Sequence, residues 1–495
     1  MSDSTFRFTG LDDWSPEPFR TALARAGFSH GNSKAIGLGS LARVIREGHL
    51  IRETLPSSSR LANAVRLFLL GDTLPAEDVV GLLGNEAEDI HRIGLLEKSD
   101  QGVRSRFQVS PGSKGWIACD FAERQNDPSG DYVMGLGPST HLLACLVPPC
   151  EQGRMLELGC GIAWLSQQFR ASGADVVASD LNPRAIELAR FNARLSSSEG
   201  IDFRQGDLFS AVRGEHFDRI AANLPYVQSP GGHLIHRESA AGEESICARA
   251  LREVAEYLAP GGIAVALINW CHSDDDDWPE APLRWSPSEG VRRWLFQTEC
   301  ASPADYARKW IRGDVRFDRA GEAREMRRWL DFYGEHRIRR ISSGFIVLQQ
   351  CSSGREWTET ESRAAESIAP GAGEEVLRVL RNRTWLRDPH SDLLDQHYRT
   401  VPEMRAMAEM ELERRWIRRT IRLTSACRLS YDGQIDENLL RLLELCAKGC
   451  TPADMVAEIR KKPEFSDIPD IGHKIGDLVR QLVHHGILIP SELAD

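Results

Sequence analysis

Residues 155–169, MLELGCGIAWLSQQF, constrain this chain more than any other stretch: an apolar run carrying Glu157 passes through Gly159 and Gly161 into an amphipathic segment. A strand that turns at glycine directly into a helix is the opening step of a parallel crossover. Glycines are needed at such a turn when a ligand touches the backbone at the start of the helix. The third glycine of the usual dinucleotide pattern is missing, with Ala163 in its neighbourhood, so the turn alone does not fix a ligand.

The pattern repeats downstream. Short apolar runs at 155–158, 176–179, 201–204, 217–222, 263–268, 294–298 and 345–349 alternate with helical segments, which predicts about seven strands in a mostly parallel α/β sheet. Asp180 ends the second run 23 residues after Glu157, close to the offset at which an acid meets a ribose in dinucleotide-type folds. The third run ends near Gln205, Gly206, Asp207 and Leu208, and the fourth in Asn223, Leu224, Pro225 and Tyr226. Ligands of open parallel sheets bind beyond the carboxyl ends of the strands, so these residues are expected to share one crevice. The plainer reading is that Asp180 and Asp207 only cap helices.

Composition narrows the class. The chain has 495 residues, enough for two to four domains, with 61 Lys plus Arg against 72 Asp plus Glu and a formal charge of −11. That balance argues against a protein that coats nucleic acid, and no run is apolar enough for a membrane span. The N-terminus, MSDSTFRFTGLDDW, lacks a signal peptide's basic and apolar regions, which predicts a cytoplasmic protein. Its 11 cysteines include no CxxC pair, so neither a metal site nor a disulfide framework is expected. Cys446 and Cys450 read as thiols on a helix.

Outside the sheet, helices are expected from Ser15-Pro16-Glu17 to Gly27, from Arg60, from Pro75 and over 86–93, followed by a hairpin joining residues 94–97 to 106–109. This is a winged-helix outline. Residues beyond about 375 read as helical, at 409–422, 437–447, 452–459 and 475–484, with a closing Gly-Ile-Leu-Ile at 486–489 suggesting a second such unit. In the first of these helices Arg414, Arg415, Arg418, Arg419 and Arg422 make a basic stripe, either a solvated face or an anion contact.

With these motifs in view, residues 154–350 resemble class I S-adenosylmethionine-dependent methyltransferases. Most of the chain is similar to an actinobacterial, release-factor-glutamine-methyltransferase-like group with an N-terminal winged-helix-like domain. The features shared include Gly135-Leu136-Gly137-Pro138-Ser139, Asn269-Trp270, Ala304-Asp305-Tyr306 and Trp329-Leu330. The resemblance implies a Rossmann-like, seven-stranded α/β methyltransferase sheet flanked by mainly α-helical, winged-helix-like terminal domains. The expected domains are residues 1–110, a connector at 111–153, the methyltransferase at 154–350 and a helical domain at 351–495.

It further implies S-adenosyl-L-methionine as cofactor, held by Glu157, Gly159, Gly161, Asp180, Leu181, Asp207, Leu208 and Asn223. Asn-Pro-Pro-Tyr at the fourth strand end marks methyl transfer to planar nitrogens in that superfamily; this chain has Asn223-Leu224-Pro225-Tyr226, which keeps the Leu224 carbonyl but gives up proline's fixed φ. Asn223 and Tyr226 are thus the expected catalytic pair, with Glu243 as base. Leu224, His236 and Glu238 join those three in substrate binding. The acids at 238, 243 and 274–277 suggest a cationic or amide-bearing acceptor.

The expected activity is N-methyl transfer to a guanidinium, amide or amine of a small amino-acid-like metabolite or a protein side chain. Two alternatives are an rRNA or tRNA base methyltransferase, since Asn-Leu-Pro-Tyr also occurs in rRNA adenine dimethyltransferases, and an S-adenosylmethionine-sensing DNA-binding regulator. Terminal domains of this type serve as lids or dimerisation surfaces, so a homodimer is also expected.

Overall fold

A computed structural model describes residues 6–35, 41–56, 59–112, 115–127, 129–230, 238–239, 245–273, 277–312, 319–387, 393–401, 404–412, 416–427, 429, 431–461 and 470–493. The chain forms two compact units, one of Met1–Leu143 with Cys150–Glu361 and one of Ala144–Pro149 with Ser362–Asp495.

The first unit is built on a sheet of eight strands: β1 Arg154–Leu158, β2 Asp175–Asp180, β3 Ile201–Gln205, β4 Phe217–Ala222, β5 Leu258–His272, β6 Val291–Ala301, β7 Arg340–Gln350 and β8 Trp357–Ser362. Their order is β8-β6-β7-β5-β4-β1-β2-β3. Strands β3, β2, β1, β4 and β5 run parallel, β7 is antiparallel to β5, and β6 is antiparallel to β7. All seven predicted runs are strands, and β8 adds an eighth. Neighbours β1 and β4 sit side by side although β2 and β3 lie between them in sequence, so the chain reverses its winding there. A crevice opens at such a switch point.

Helices α1 Pro138–Leu146, α2 Trp164–Ala171, α3 Pro183–Leu195 and α4 Ile246–Glu253 flank the parallel strands. Helix α3 starts where Asn182 accepts the Arg184 N–H at 3.0 Å and Pro183 fits the first turn.

The N-terminal residues share a hydrophobic core with this unit. Phe8 and Trp14 stack on Phe191 of α3 at centroid distances of 4.6 and 5.4 Å. Helices Glu17–Arg25, Arg60–Ala64, Ala76–Leu83 and Glu86–Arg92 occur near their expected places, the first starting without the expected Ser15 side-chain cap. The expected hairpin is corrected: Leu96–Ser99 pairs with Gly102–Ser105, and Gln108–Gly112 begins a second hairpin with Gly115–Cys119. The glycine at 102 allows the earlier turn, with φ of 130°.

Buried polar groups lock the second hairpin to the sheet layer. Asn192 in α3 accepts the Ala118 N–H at 2.7 Å and donates to the Ala118 carbonyl at 2.9 Å. Asp120, fully buried, receives the Arg184 guanidinium at 2.6 and 3.0 Å and the Val133 N–H at 2.8 Å. Arg184 also lies over the Phe107 ring at 4.6 Å.

In the second unit the predicted helix at 409–422 is overturned. Strand β10 Arg405–Leu412 and strand β11 Trp416–Thr424 form an antiparallel hairpin, joined by β12 Asp432–Ile435; β9 Tyr398–Thr400 pairs separately with β13 Leu488–Pro490. The sequence alternates apolar and charged residues with period two as well as spacing Glu and Arg by four, and sheet pairing decides between the two. The helices Glu437–Ala447, Pro452–Arg460 and Ile471–His484 are present. Cys446 is buried, and no three His, Cys, Asp or Glu residues cluster as a metal site among the described residues. No described helix is long and apolar enough to cross a membrane.

Removing one member of a buried, hydrogen-bonded ion pair leaves an uncompensated charge. Asp120→Ala is therefore expected to lower unfolding stability by about 3 to 5 kcal/mol, measured by urea denaturation. Asn192→Ala, which breaks neutral bonds only, is expected to lose less, about 1 to 2 kcal/mol.

Candidate active site

The carboxyl ends of β1, β2, β3 and β4 enclose a cavity of about 160 Å³. It is lined by Glu157, Gly159 and Gly161 after β1, Asp180 and Leu181 after β2, Gly206, Asp207 and Leu208 after β3, and Asn223, Leu224 and Pro225 after β4. Residues 132–136 and Thr140 close one side. The cavity-lining residues expected from sequence thus converge.

The loops owe their shape to backbone that few residues tolerate. Gly159 and Gly161 have φ of 68° and 52°, and a Cβ on Gly159 would meet Leu224 Cδ2 at 3.1 Å. Ala163, a residue with a Cβ, also adopts the left-handed region, φ 54°. The Ala163 methyl is fully buried in a small cluster with Cys160, Ala178, Ile186 and Ala189. Leu208 is left-handed too, φ 47°, at the cavity wall, an arrangement of the kind that clusters at binding sites.

Asp180 ties two loops together, accepting the Gly161 N–H at 2.9 Å and the Asn182 N–H at 2.8 Å. Burial raises its pKa. Glu157 is buried more deeply: Oε2 accepts the Ser166 N–H at 2.8 Å and is also bonded by the Ser166 hydroxyl. Desolvation outweighs those bonds and pushes its carboxyl up to about 7. Asp207 is half exposed, and its Oδ2 accepts from Arg249 of α4 at 2.7 Å. Arg249 was not foreseen, because 42 residues separate it from Asp207.

Asn223 shows the most telling geometry. Its Nδ2 donates to Ser139 Oγ at 3.2 Å and Thr140 Oγ1 at 3.3 Å, at the first turn of α1, whereas its Oδ1 is buried with no hydrogen-bond partner among the described residues. An unsatisfied buried acceptor is costly unless something arrives to use it.

The Tyr226 phenol is hydrogen-bonded to Ser139, and burial raises its pKa. Its ring lies 6.5 Å from Trp310 and off the cavity wall. The backbone behind it is fixed by buried polar groups: Gln228 Nε2 donates to the Tyr226 carbonyl at 3.2 Å and the Asn269 carbonyl at 3.2 Å, and the Gln228 N–H donates to Tyr306 Oη at 3.2 Å. Tyr333 Oη donates to the Gln228 carbonyl at 2.7 Å, and Asn269 Nδ2 donates to Tyr306 Oη at 2.7 Å. Tyr306 and Asn269, noted in sequence only as shared features, thus support the strand end that carries Asn223.

His236 and Glu243 lie outside the described residues, as do Asp274, Asp275 and Asp276. Glu238 is in a short strand whose backbone pairs with Val227. Asp277 turns to Ser273 and His272, at 3.0 and 3.5 Å. Of the arginine stripe, Arg414 and Arg415 lie outside the described residues, and Arg422 is paired with Asp432 at 2.6 and 2.8 Å.

Residues 134–270 match the family model described as the methyltransferase small domain. This segment is a class I S-adenosylmethionine-dependent methyltransferase domain. Among curated relatives, the ribosomal protein uL3 glutamine methyltransferase of Bradyrhizobium diazoefficiens is 29% identical over 167 residues, 30% of this chain and 51% of that protein. The release factor glutamine methyltransferase of Yersinia pestis is 31% identical over 134 residues, 25% and 47% respectively. A ubiquinone biosynthesis O-methyltransferase of Cereibacter sphaeroides is 31% identical over 150 residues, covering 30% and 51%. The chain spans about half the length of the curated relatives it matches.

The domain's cofactor, S-adenosylmethionine, fits the residues present. Left-handed glycines keep backbone open to a ligand, and carboxylates and apolar side chains line one cavity.

A carboxyl whose folded pKa is raised destabilises the native state once it ionises. Glu157 is neutral in both states below about 4.5, and its cost grows as pH rises to about 7. The ligand-free Glu157→Gln protein is therefore expected to be more stable than wild type by about 3 kcal/mol at pH 8 and nearly equal to it at pH 4.5, read from thermal melts at the two values.

Proposed function

We propose that this chain transfers a methyl group from S-adenosylmethionine to the amide nitrogen of a glutamine side chain in a protein, acting in the cytoplasm. The observation that carries this reading is the buried, unpartnered Oδ1 of Asn223 beside a cofactor-type cavity. The similarity to glutamine methyltransferases supports it.

When bound, the cofactor supplies an electrophilic methyl on a sulfonium. Asp180 would hold the ribose hydroxyls, Asp207 the adenine amino group, with Leu181 and Leu208 as apolar walls, and Glu157 the ammonium of the methionine part. The glycine turn admits that part to the backbone.

An amide NH2 is a poor nucleophile with two protons to place. Asn223 Oδ1 and the Leu224 carbonyl are acceptors, so they can take both N–H groups and turn the nitrogen's face toward the methyl. Ser139 and Thr140 accept from the Asn223 NH2, which leaves Oδ1 as the end of the amide without a donor among the described residues. Leu224 in place of proline retains the carbonyl, and its side chain, 7% exposed, packs in the core beneath the site. The phenol of Tyr226, tethered to Ser139, holds the strand end that delivers both acceptors.

Asn223→Ala is expected to lower kcat at least about a hundredfold, the scale set by one lost polar contact to a reacting group, with cofactor affinity little changed. Ser139→Ala is expected to lose about tenfold in kcat. The assay follows a mass gain of about 14 Da, one methyl group in place of one hydrogen, on glutamine-bearing proteins or peptides. Methylation of nucleic acid bases with none of protein amide would overturn the reading.

Cofactor affinity offers an independent check. Only the ionised Glu157 attracts an ammonium, so the Kd measured by calorimetry is expected to rise as pH falls below about 7. Glu157→Gln should bind more weakly above pH 7 and without that slope.

A further inference from the structure

We propose that the groove on the outer face of the helix Arg319–Glu335 docks an acidic segment of the protein whose glutamine is methylated, with Arg324 and Arg327 taking its carboxylates; this rests on the acceptor being a protein and says what that protein carries. Charge is spread unevenly along the chain. Residues 308–340 hold 11 Lys plus Arg against 6 Asp plus Glu, whereas the whole chain has 61 against 72. A local excess of positive charge on an acidic protein steers and holds a negative partner.

The fold sets this excess beside the strand end that carries Asn223. Trp329 and Tyr333, 2% and 1% exposed, anchor the inner face of the helix in a core with Val227 and Tyr306, and Tyr333 Oη donates to the Gln228 carbonyl at 2.7 Å. Residues 324, 327, 328, 331 and 335 follow at helical spacing on the outer face. Together with Pro230 and Phe332 they line a groove of about 510 Å³. Pro230 lies seven residues after Asn223, a span of at most about 24 Å. One polypeptide can therefore reach both places.

Arg328 is held by Glu325 at 2.9 Å. Arg324 and Arg327 are exposed and have no ion-pair partner among the described residues. Free guanidiniums in a groove suit carboxylates, which they can grip with two parallel hydrogen bonds. Asp331 and Glu335 decide which kind of anion fits. They line the same groove further along the helix, where they would repel the unbroken phosphate row of a nucleic acid. A peptide answers both halves, offering carboxylates to Arg324 and Arg327 and backbone N–H groups or basic side chains to the two acids.

Fluorescence anisotropy of labelled Gly-Ser peptides with the full chain measures the docking. Each peptide has about 20 residues, a central glutamine and a flanking run of Glu, Ser or Lys. The Glu peptide is expected to bind about tenfold tighter than the Ser peptide, the scale of two exposed ion pairs, and to lose that margin with R324E/R327E. The same variant is expected to bind the Lys peptide better than wild type does, a gain that loss of structure cannot produce. Binding indifferent to the Glu run, a Glu preference that survives R324E/R327E, no gain with the Lys peptide, or displacement of the Glu peptide by polyuridylate would overturn the proposal. Mass spectrometry of the same peptides keeps the two readings apart. Docking without methylation counts against the amide acceptor alone, and methylation at a rate blind to the Glu run counts against the docking groove alone.

Discussion

Asp180 accepts N–H groups from Gly161 and Asn182, so one carboxylate joins the loop after β1 to the loop after β2. The crevice depends on this bond pair. Parallel strands leave their loops at one edge with backbone donors that have no ladder partner, and an acid at the end of β2 satisfies two of them while staying beside the cavity. Similar economy holds at β4, where one asparagine that lines the cavity gives its donors to α1 and keeps a buried acceptor. Each loop is fixed by the group that lines the site, so shaping the cavity and closing the fold are one task for these residues.

Much of this was legible in sequence because it is local. Strands announce themselves as short apolar runs, and the cavity residues sit at their ends by topology alone. What was not legible are pairings over long separations: Ser139 and Thr140 with Asn223, Asp120 with Arg184, Arg249 with Asp207. No local pattern marks any of them, because each is fixed by how the helices pack on the sheet. The region 405–424 failed for another reason. Its charges fit a helical spacing, its apolar residues fit a strand, and only the pairing of β11 with β10 on one side and β12 on the other separates the two.

The acidic balance that suggested a cationic acceptor has become less informative. Asp277 is occupied by Ser273 and His272, and Asp207 by Arg249. Net charge describes the surface, whereas the site is better described by two buried groups with opposite problems. Glu157 has an excess of negative charge for its surroundings, and Asn223 Oδ1 lacks a donor. Both problems are relieved by a ligand carrying N–H groups, which is why they bear on function more directly than the surface acids.

Ala163 holds a left-handed conformation that costs an alanine about 1 to 2 kcal/mol, yet its methyl is buried, which returns about 0.8 kcal/mol, and glycine there would carry an entropic cost of its own. The near balance lets the position drift between the two residues without loss of the turn. A search pattern that demands a third glycine would pass over chains of this kind, although the backbone such a glycine is meant to guarantee is present in full.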